Sequence, residues 1–262
     1  MPRFFRRLFK FPQMDFEMAV WEMTHLLYQP KKVFKSIYYH KQTKNTWHRP
    51  DPSFTYLLSF FLLLTSFAWA IAYSLSASST AKLALMFIFV HFLGGSLFYA
   101  TLAYFLVGRL LTSNRRVPGL LPGRIRRRQQ GLFAPPPPLP ANTANGPSGS
   151  EALEFGYSFD VGIRAFFPVY VLLYVVQFLF MPALAHRNLA STFFANTLYL
   201  AAYVYWTVII FLGYNSLHFL HHTEWLLTPL VAWLVLWLVA TVGGFNMAMH
   251  VGDWLFWGVK KA

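Results

Sequence analysis

Five long apolar blocks divide this chain. They lie at residues 54–75, 83–107, 165–184, 193–212 and 226–249. Each block holds about 20 to 25 residues, enough at ~1.5 Å of helix rise per residue to cross a hydrocarbon layer of about 30 Å. Charged residues make up only 12% of the 262 residues, whereas they make up about 25% of a soluble domain. The sequence therefore predicts an all-α polytopic membrane protein with five transmembrane helices.

The positive charges lie between alternate pairs of these blocks. Of the 22 Lys and Arg residues, ten precede the first block and eight lie from Arg109 to Arg164. Basic segments resist translocation across a membrane, so the N-terminus and the second loop are expected in the cytosol and the C-terminus in the lumen. The net charge of +13 could also indicate RNA binding, but the basic residues flank the spans, where they attract anionic lipid headgroups. Membrane lipids are therefore the expected partner, and nucleic acid is disfavoured.

The blocks divide the chain into a membrane domain and its flanking parts. Residues 1–53 form a cytosolic N-terminal helical segment, residues 54–250 the five-span membrane domain and residues 251–262 a luminal tail. Within the membrane domain, the loop 115–152 is rich first in Arg and then in Pro, Asn, Gly and Ser. Such a composition cannot bury a core, which predicts a disordered loop with a short polyproline II stretch. Its Pro-Pro-Leu-Pro run could fit a WW or SH3 groove, although a plain linker is the favoured interpretation.

The N-terminal segment holds two candidate amphipathic helices. The first covers residues 13–28, which contain no Pro or Gly, and the second begins at Pro30, a residue suited to the first helical position. The apolar face expected for the first helix consists of Met14, Met18, Trp21 and His25, widened by Phe16, Val20, Met23 and Leu27. In the second helix, Val33, Phe34, Ile37 and Tyr38 oppose the lysines Lys31, Lys32, Lys35 and Lys41. A basic face opposite an apolar one is typical of a helix in the membrane interface. Packing of these helices on the bundle and docking of a partner are both left open.

One local pattern is typical of catalysis. His218, His221 and His222 have the H-x-x-H-H spacing of a histidine box in membrane di-iron enzymes, where imidazoles on one helix face ligate a metal. Such enzymes need several boxes, whereas the other six histidines of this chain stand singly. A polar loop with interfacial histidines is therefore the favoured interpretation. The sequence contains no other recognisable set of catalytic, cofactor-binding or metal-binding residues, so a non-enzymatic role is expected.

The few polar residues inside the blocks allow a second hypothesis. A lipid- or solute-handling protein could use a polar cavity in the bundle, lined by His91, Gln177, Asn196 and Asn246. With the boundaries given above, no Asp, Glu, Lys or Arg lies near the middle of a block. Because ion-coupled transporters normally need such a group, that class is disfavoured.

Several long strings of residues resemble one family. They are Gln13-Met-Asp-Phe-Glu-Met-Ala-Val-Trp21, Pro30-Lys-Lys-Val-Phe34, Tyr39-His-Lys-Gln-Thr-Lys44 and Asp51-Pro-Ser-Phe54, followed by Glu154-Phe-Gly-Tyr-Ser-Phe-Asp160, Ala165-Phe-Phe-Pro168, Asn196-Thr-Leu-Tyr-Leu200 and Phe211-Leu-Gly-Tyr-Asn215. In this order they are similar to the Unc-fifty (uncoordinated-fifty) family, and the resemblance covers most of the chain. Residues 117–150 look like an insertion into a loop that is shorter in the family. The resemblance therefore implies no role for the Pro-rich tract.

The resemblance implies a multi-pass Golgi membrane protein with a cytosolic N-terminus, with possible cycling through the endoplasmic reticulum. It implies a role in vesicular transport, in which the protein recruits a large Gea/GBF-type Arf guanine-nucleotide exchange factor and assists transport of membrane receptor cargo. An RNA-binding form at the nuclear envelope is a lesser alternative. No catalytic residues or cofactors come with the family. We place the candidate partner surface at Asp15, Glu17, Trp21, Glu154 and Asp160, and the candidate lipid surface at Lys31, Lys32 and Lys35.

Overall fold

The computed structural model describes residues 14–44, 47, 51–111, 153–184, 186 and 188–255. Two short helices come first: α1 (Phe16–Tyr28) and α2 (Pro30–Lys44). Five helices that are long and apolar enough to cross a membrane follow: α3 (Ser53–Ala72), α4 (Ala77–Arg109), α5 (Phe155–Leu184), α6 (Leu189–Asn215) and α7 (Thr223–Val242). A short helix, α8 (Met247–Leu255), comes last. The prediction of an all-α protein with five membrane-spanning helices is confirmed, whereas the predicted loop at 115–152 lies outside the described residues.

The third span is longer than the sequence-based boundaries. α5 begins at Phe155 rather than at residue 165, because the helix continues through the two charged residues that precede the apolar block. Arg164 is buried in the bundle, and its guanidinium lies 3.8 Å from the Asp160 carboxylate one turn earlier. Since an ion pair offsets part of the penalty of burying a charge, the charged turn stays inside the helix.

The fifth span is shorter than predicted. α7 ends at Val242 rather than at residue 249, because the chain turns at Gly243 and Gly244. Gly244 has φ of +68°, a left-handed conformation that glycine adopts without strain. The N–H of Phe245 donates to the carbonyl of Ala240 at 2.8 Å, as is typical of a helix C-terminus.

The turn directs α8 back along the bundle, where two asparagines hold it. Asn196 of α6 donates to the Phe245 carbonyl at 2.9 Å and accepts from the Met247 N–H at 3.0 Å. Asn246 donates to the carbonyl of Leu184, the last residue of α5, at 2.8 Å. The segment predicted as a luminal tail from residue 251 thus begins inside a helix that packs on α5 and α6.

α5 is the central helix of the bundle, since it packs against α1, α3, α4 and α6. Between membrane helices the stabilising contacts are close packing and interhelical hydrogen bonds. Tyr170 of α5 shares a hydrogen bond of 2.8 Å with the hydroxyl of Thr65 on α3, and the Trp69 indole of α3 donates to the Tyr174 carbonyl at 3.1 Å. By contrast, α7 lies at the edge and packs chiefly on α6.

Two of the spans contain a π-helical stretch, Met86–Gly94 in α4 and Val171–Val176 in α5. The two stretches meet, because Nδ1 of His91 lies 2.8 Å from the hydroxyl of Tyr174. π-helical turns in proteins are rare and occur frequently at functional sites. This contact therefore makes the middle of the bundle a candidate ligand site.

Candidate docking surface of the N-terminal helices

The buried face of α1 differs from the expected one. Its buried residues are Ala19, Glu22, Met23 and Leu26, which face α3 and α5. Phe16, Val20 and Leu27, predicted as part of the apolar face, are exposed instead. The helix is rotated in this way because a charged residue, Glu22, lies at the centre of the buried face.

Glu22 forms a buried ion pair with Arg164 of α5. The guanidinium Nη2 lies 2.9 Å from the Glu22 carboxylate and Nε 3.2 Å from the same oxygen. The Arg164 Nη1 donates to the carbonyl of Asp160 at 3.1 Å, and the guanidinium lies 5.7 Å from the ring centroid of Phe54. Because Phe54 is only the second residue of α3, the pair lies level with the end of that span. α1 is thus joined to the bundle at the predicted cytosolic boundary.

α2 also packs on the bundle. Val33, Phe34 and Ile37 are buried, and α2 contacts α6 near the end of that span. The hydroxyl of Tyr205 on α6 lies 2.7 Å from the carbonyl of Leu26 and 2.9 Å from that of Leu27. Its one hydrogen is shared between these two acceptors, which are left free at the end of α1. Both N-terminal helices are therefore present and pack on the bundle. Their amphipathic character and their position in the membrane interface stay predictions.

The lipid-surface candidates, Lys31, Lys32 and Lys35, are all exposed on α2. They lie at its start and opposite its buried residues. In this arrangement an ammonium group can reach an anionic headgroup while the apolar face of the helix remains against the protein. The lipid contact itself stays a prediction.

Of the three histidines with the spacing of a histidine box, His218 packs on aromatic rings, while His221 and His222 are exposed. His218 lies against the aromatic rings of Tyr38 and Trp47, with ring centroids 4.8 and 6.0 Å apart. The His221 N–H donates to the carbonyl of Leu111 at 3.0 Å, and His222 is exposed at the start of α7 with φ of 56°. Among the described residues, no group of three or more His, Asp or Glu side chains is arranged to hold a metal ion.

Two of the five partner-surface candidates are exposed. Glu17 is exposed, and so is Asp15, whose carboxylate accepts from the Met18 N–H at 2.9 Å and caps α1. The other three are half-buried and make internal contacts. Trp21 stacks on His25 with centroids 4.2 Å apart, Glu154 accepts from the Trp47 N–H at 3.4 Å, and Asp160 faces Arg164. The accessible part of this surface is thus the acidic start of α1, together with the exposed apolar side chains of Phe16 and Val20.

The four polar residues proposed to line a cavity are not gathered in one place. Asn196 and Asn246 bond the α8 region, as described above. Gln177 is fully buried, and its amide lies beside the Tyr199 hydroxyl. His91 alone of the four lines the large cavity of about 510 Å³ in the bundle.

Comparison with known proteins decides the family. The sequence model of the UNC-50 family matches residues 4–256. The chain belongs to the UNC-50 family. It is 34% identical over 259 residues to the "Protein GMH1 homolog" of Schizosaccharomyces pombe, with 98% of each chain covered. It is 33% identical to the "Protein unc-50 homolog" of Dictyostelium discoideum, covering 97% of this chain and 87% of that one, and 33% identical to the human protein of that name, covering 98% and 88%.

These findings confirm the resemblance read from the sequence strings. This UNC-50 family protein is a multi-pass membrane protein, and its matched range includes both α1 and the Glu22–Arg164 pair. No solved structure is significantly similar to the chain.

Proposed function

We propose that this UNC-50 family protein is a non-enzymatic adaptor of the Golgi membrane. Its N-terminus faces the cytosol and its C-terminus the lumen, and its docked N-terminal helices recruit a Gea/GBF-type Arf guanine-nucleotide exchange factor. The observation that carries the proposal is the buried Glu22–Arg164 pair. It fixes α1 against the spans and leaves the acidic start of α1 exposed.

The adaptor acts by local concentration. A weak soluble partner held at one membrane is present there at a much higher effective concentration than in the cytosol. A surface fixed before binding also loses less conformational entropy when the partner docks. The Glu22–Arg164 pair and the Tyr205 contacts supply that fixation.

The charge distribution supports the orientation. Ten of the 22 basic residues precede the first span and six lie between the second and third, and such residues stay on the cytosolic side. The exposed lysines of α2 then face the anionic leaflet beside the partner surface. Assisted transport of membrane receptor cargo is part of the same proposal, as the family resemblance implies. RNA binding at the nuclear envelope remains the lesser alternative.

Replacing the exposed acids tests this function. Asp15→Asn with Glu17→Gln removes two charges and keeps a side chain that can cap α1. We expect Golgi-bound exchange factor, measured by fluorescence in cells that express only the variant, to fall by about tenfold, the equivalent of about 1.4 kcal/mol. The matched control is Glu224→Gln, an exposed acid in the first turn of α7, which should leave recruitment unchanged. Unchanged recruitment in the double variant, with normal Golgi localisation, would contradict the proposal.

A further inference from the structure

We propose that the cavity in the middle of the bundle binds a neutral, largely apolar membrane lipid. The cavity has a volume of about 510 Å³, within the range of about 300–1,000 Å³ typical of small-molecule sites. Residues of α4, α5, α6, α7 and α8 line it. This inference is independent of exchange-factor recruitment, since the cavity and the acidic start of α1 share no residue.

The depth of the cavity indicates that its ligand comes from the membrane. Ser96, Phe166, Tyr199 and Trp233 line it from four different spans. Each lies at least nine residues from either end of its helix, or roughly 14 Å at the helical rise. The cavity is therefore at the level of the hydrocarbon layer, where lipid is the most abundant small molecule.

The cavity presents a mainly apolar surface. Ser96 and Tyr199 are 3% and 2% exposed, and their hydroxyls and the indole nitrogen of Trp233 are covered by neighbouring atoms rather than open to the space. The Tyr199 hydroxyl lies beside the Gln177 amide. A largely apolar lining suits the apolar body of a lipid.

The charge of the lining indicates a neutral ligand. None of the described residues that line the cavity is Asp, Glu, Lys or Arg. His91, also in the lining, is in contact with the Tyr174 hydroxyl. A phosphate headgroup buried here would have no counter-charge, at a high energetic cost. The lining therefore favours a lipid such as a sterol or a diacylglycerol over a phospholipid.

Aromatic rings provide flat apolar walls. Tyr203 of α6 stacks on Trp233 of α7 with centroids 4.5 Å apart and 13° between the ring planes. Tyr99 of α4 meets Trp206 of α6 edge to face at 5.1 Å. Because α7 packs chiefly on α6, a small movement of this edge helix would admit a lipid from the side.

One glycine makes the cavity testable. Gly95 lines it, and a Cβ built on Gly95 meets no atom within 4 Å. A leucine at this position therefore extends into the cavity without a clash at its Cβ, and leucine favours a helix more than glycine does. The matched control is Leu97→Phe, which enlarges a side chain that is 50% exposed on the same helix.

The experiment uses the purified full chain in nanodiscs with a photoactivatable sterol and, separately, a photoactivatable diacylglycerol. We expect one probe to label cavity-lining peptides saturably, with competition by the unlabelled lipid. Gly95→Leu should reduce this labelling by about tenfold, while Leu97→Phe leaves it unchanged. Gly95→Ala adds a single carbon that meets no atom within 4 Å; it should reduce the labelling by about twofold and keeps the test valid if Gly95→Leu fails to fold. Saturable labelling by neither probe, or equal labelling of wild type and the folded Gly95 variants, would overturn the inference.

Discussion

Replacing Arg164 with methionine is expected to destabilise the protein by about 3–5 kcal/mol, because Glu22 is then left as a buried charge without its guanidinium partner. Both side chains are at most 6% exposed, so water cannot replace the lost contact. The loss should first release α1, which this pair joins to α5. Thermal unfolding of the purified chain in detergent, together with protease sensitivity of residues 14–28, measures both effects.

A double variant tests the ion pair without leaving a single buried charge. Glu22→Leu combined with Arg164→Met replaces the two charges with apolar side chains of similar size, and such replacements in buried pairs are often neutral or stabilising. The double variant should therefore recover most of the stability that Arg164→Met loses. If both variants are as stable as the wild type, the pair does not hold α1 in place.

Replacing Gly213 with alanine should destabilise the junction of α5, α6 and α2 by about 1–3 kcal/mol, the range typical of overpacking. A Cβ at Gly213 would lie 2.9 Å from both methyl groups of Val161 and 3.2 Å from the ring of Phe34. Val161 is β-branched and cannot easily rotate away. A shift of α6 would also disturb the hydrogen bond that the Tyr157 hydroxyl donates to the Gly213 carbonyl.

The same substitution at Gly108 is the control. A Cβ there would meet Leu153 at 3.8 Å, an ordinary contact. Alanine within a helix is favoured over glycine by about 0.5–1 kcal/mol, so Gly108→Ala should raise the unfolding temperature slightly while Gly213→Ala lowers it. Equal changes of the unfolding temperature in the two variants would show that the close approach at Gly213 does not limit packing.

The five spans could be predicted because a hydrocarbon layer demands about 20 consecutive apolar residues, a condition visible in any single block. The contacts of the residues at the candidate docking surface could not be predicted in this way. Glu22 is one acidic residue in an otherwise apolar run, and only the packing of α1 on α5 reveals its partner, 142 positions away. One signal was present: an acid beyond the first turn of a predicted helix, flanked by Trp21 and Met23, and an arginine at the edge of an apolar block.

The remaining differences also have local causes. An apolar composition continues past the turn at Gly243 and Gly244, so the sequence alone does not separate α7 from α8. The buried face of α1 differs from the expected one because Phe16, Val20 and Leu27 are apolar yet exposed. The cavity depends on the placement of five helices, and no local pattern encodes it.

The most direct test is binding of a purified Gea/GBF-type exchange factor to the full chain in nanodiscs of neutral lipid, where attraction to anionic headgroups is absent. The account predicts that the wild type and Glu224→Gln bind with the same Kd, and that Asp15→Asn with Glu17→Gln raises the Kd by about tenfold. Arg164→Met, which releases α1, should weaken binding as well. Equal binding by all four proteins, or no binding by the wild type, would contradict the claim that the docked N-terminal helices recruit the exchange factor.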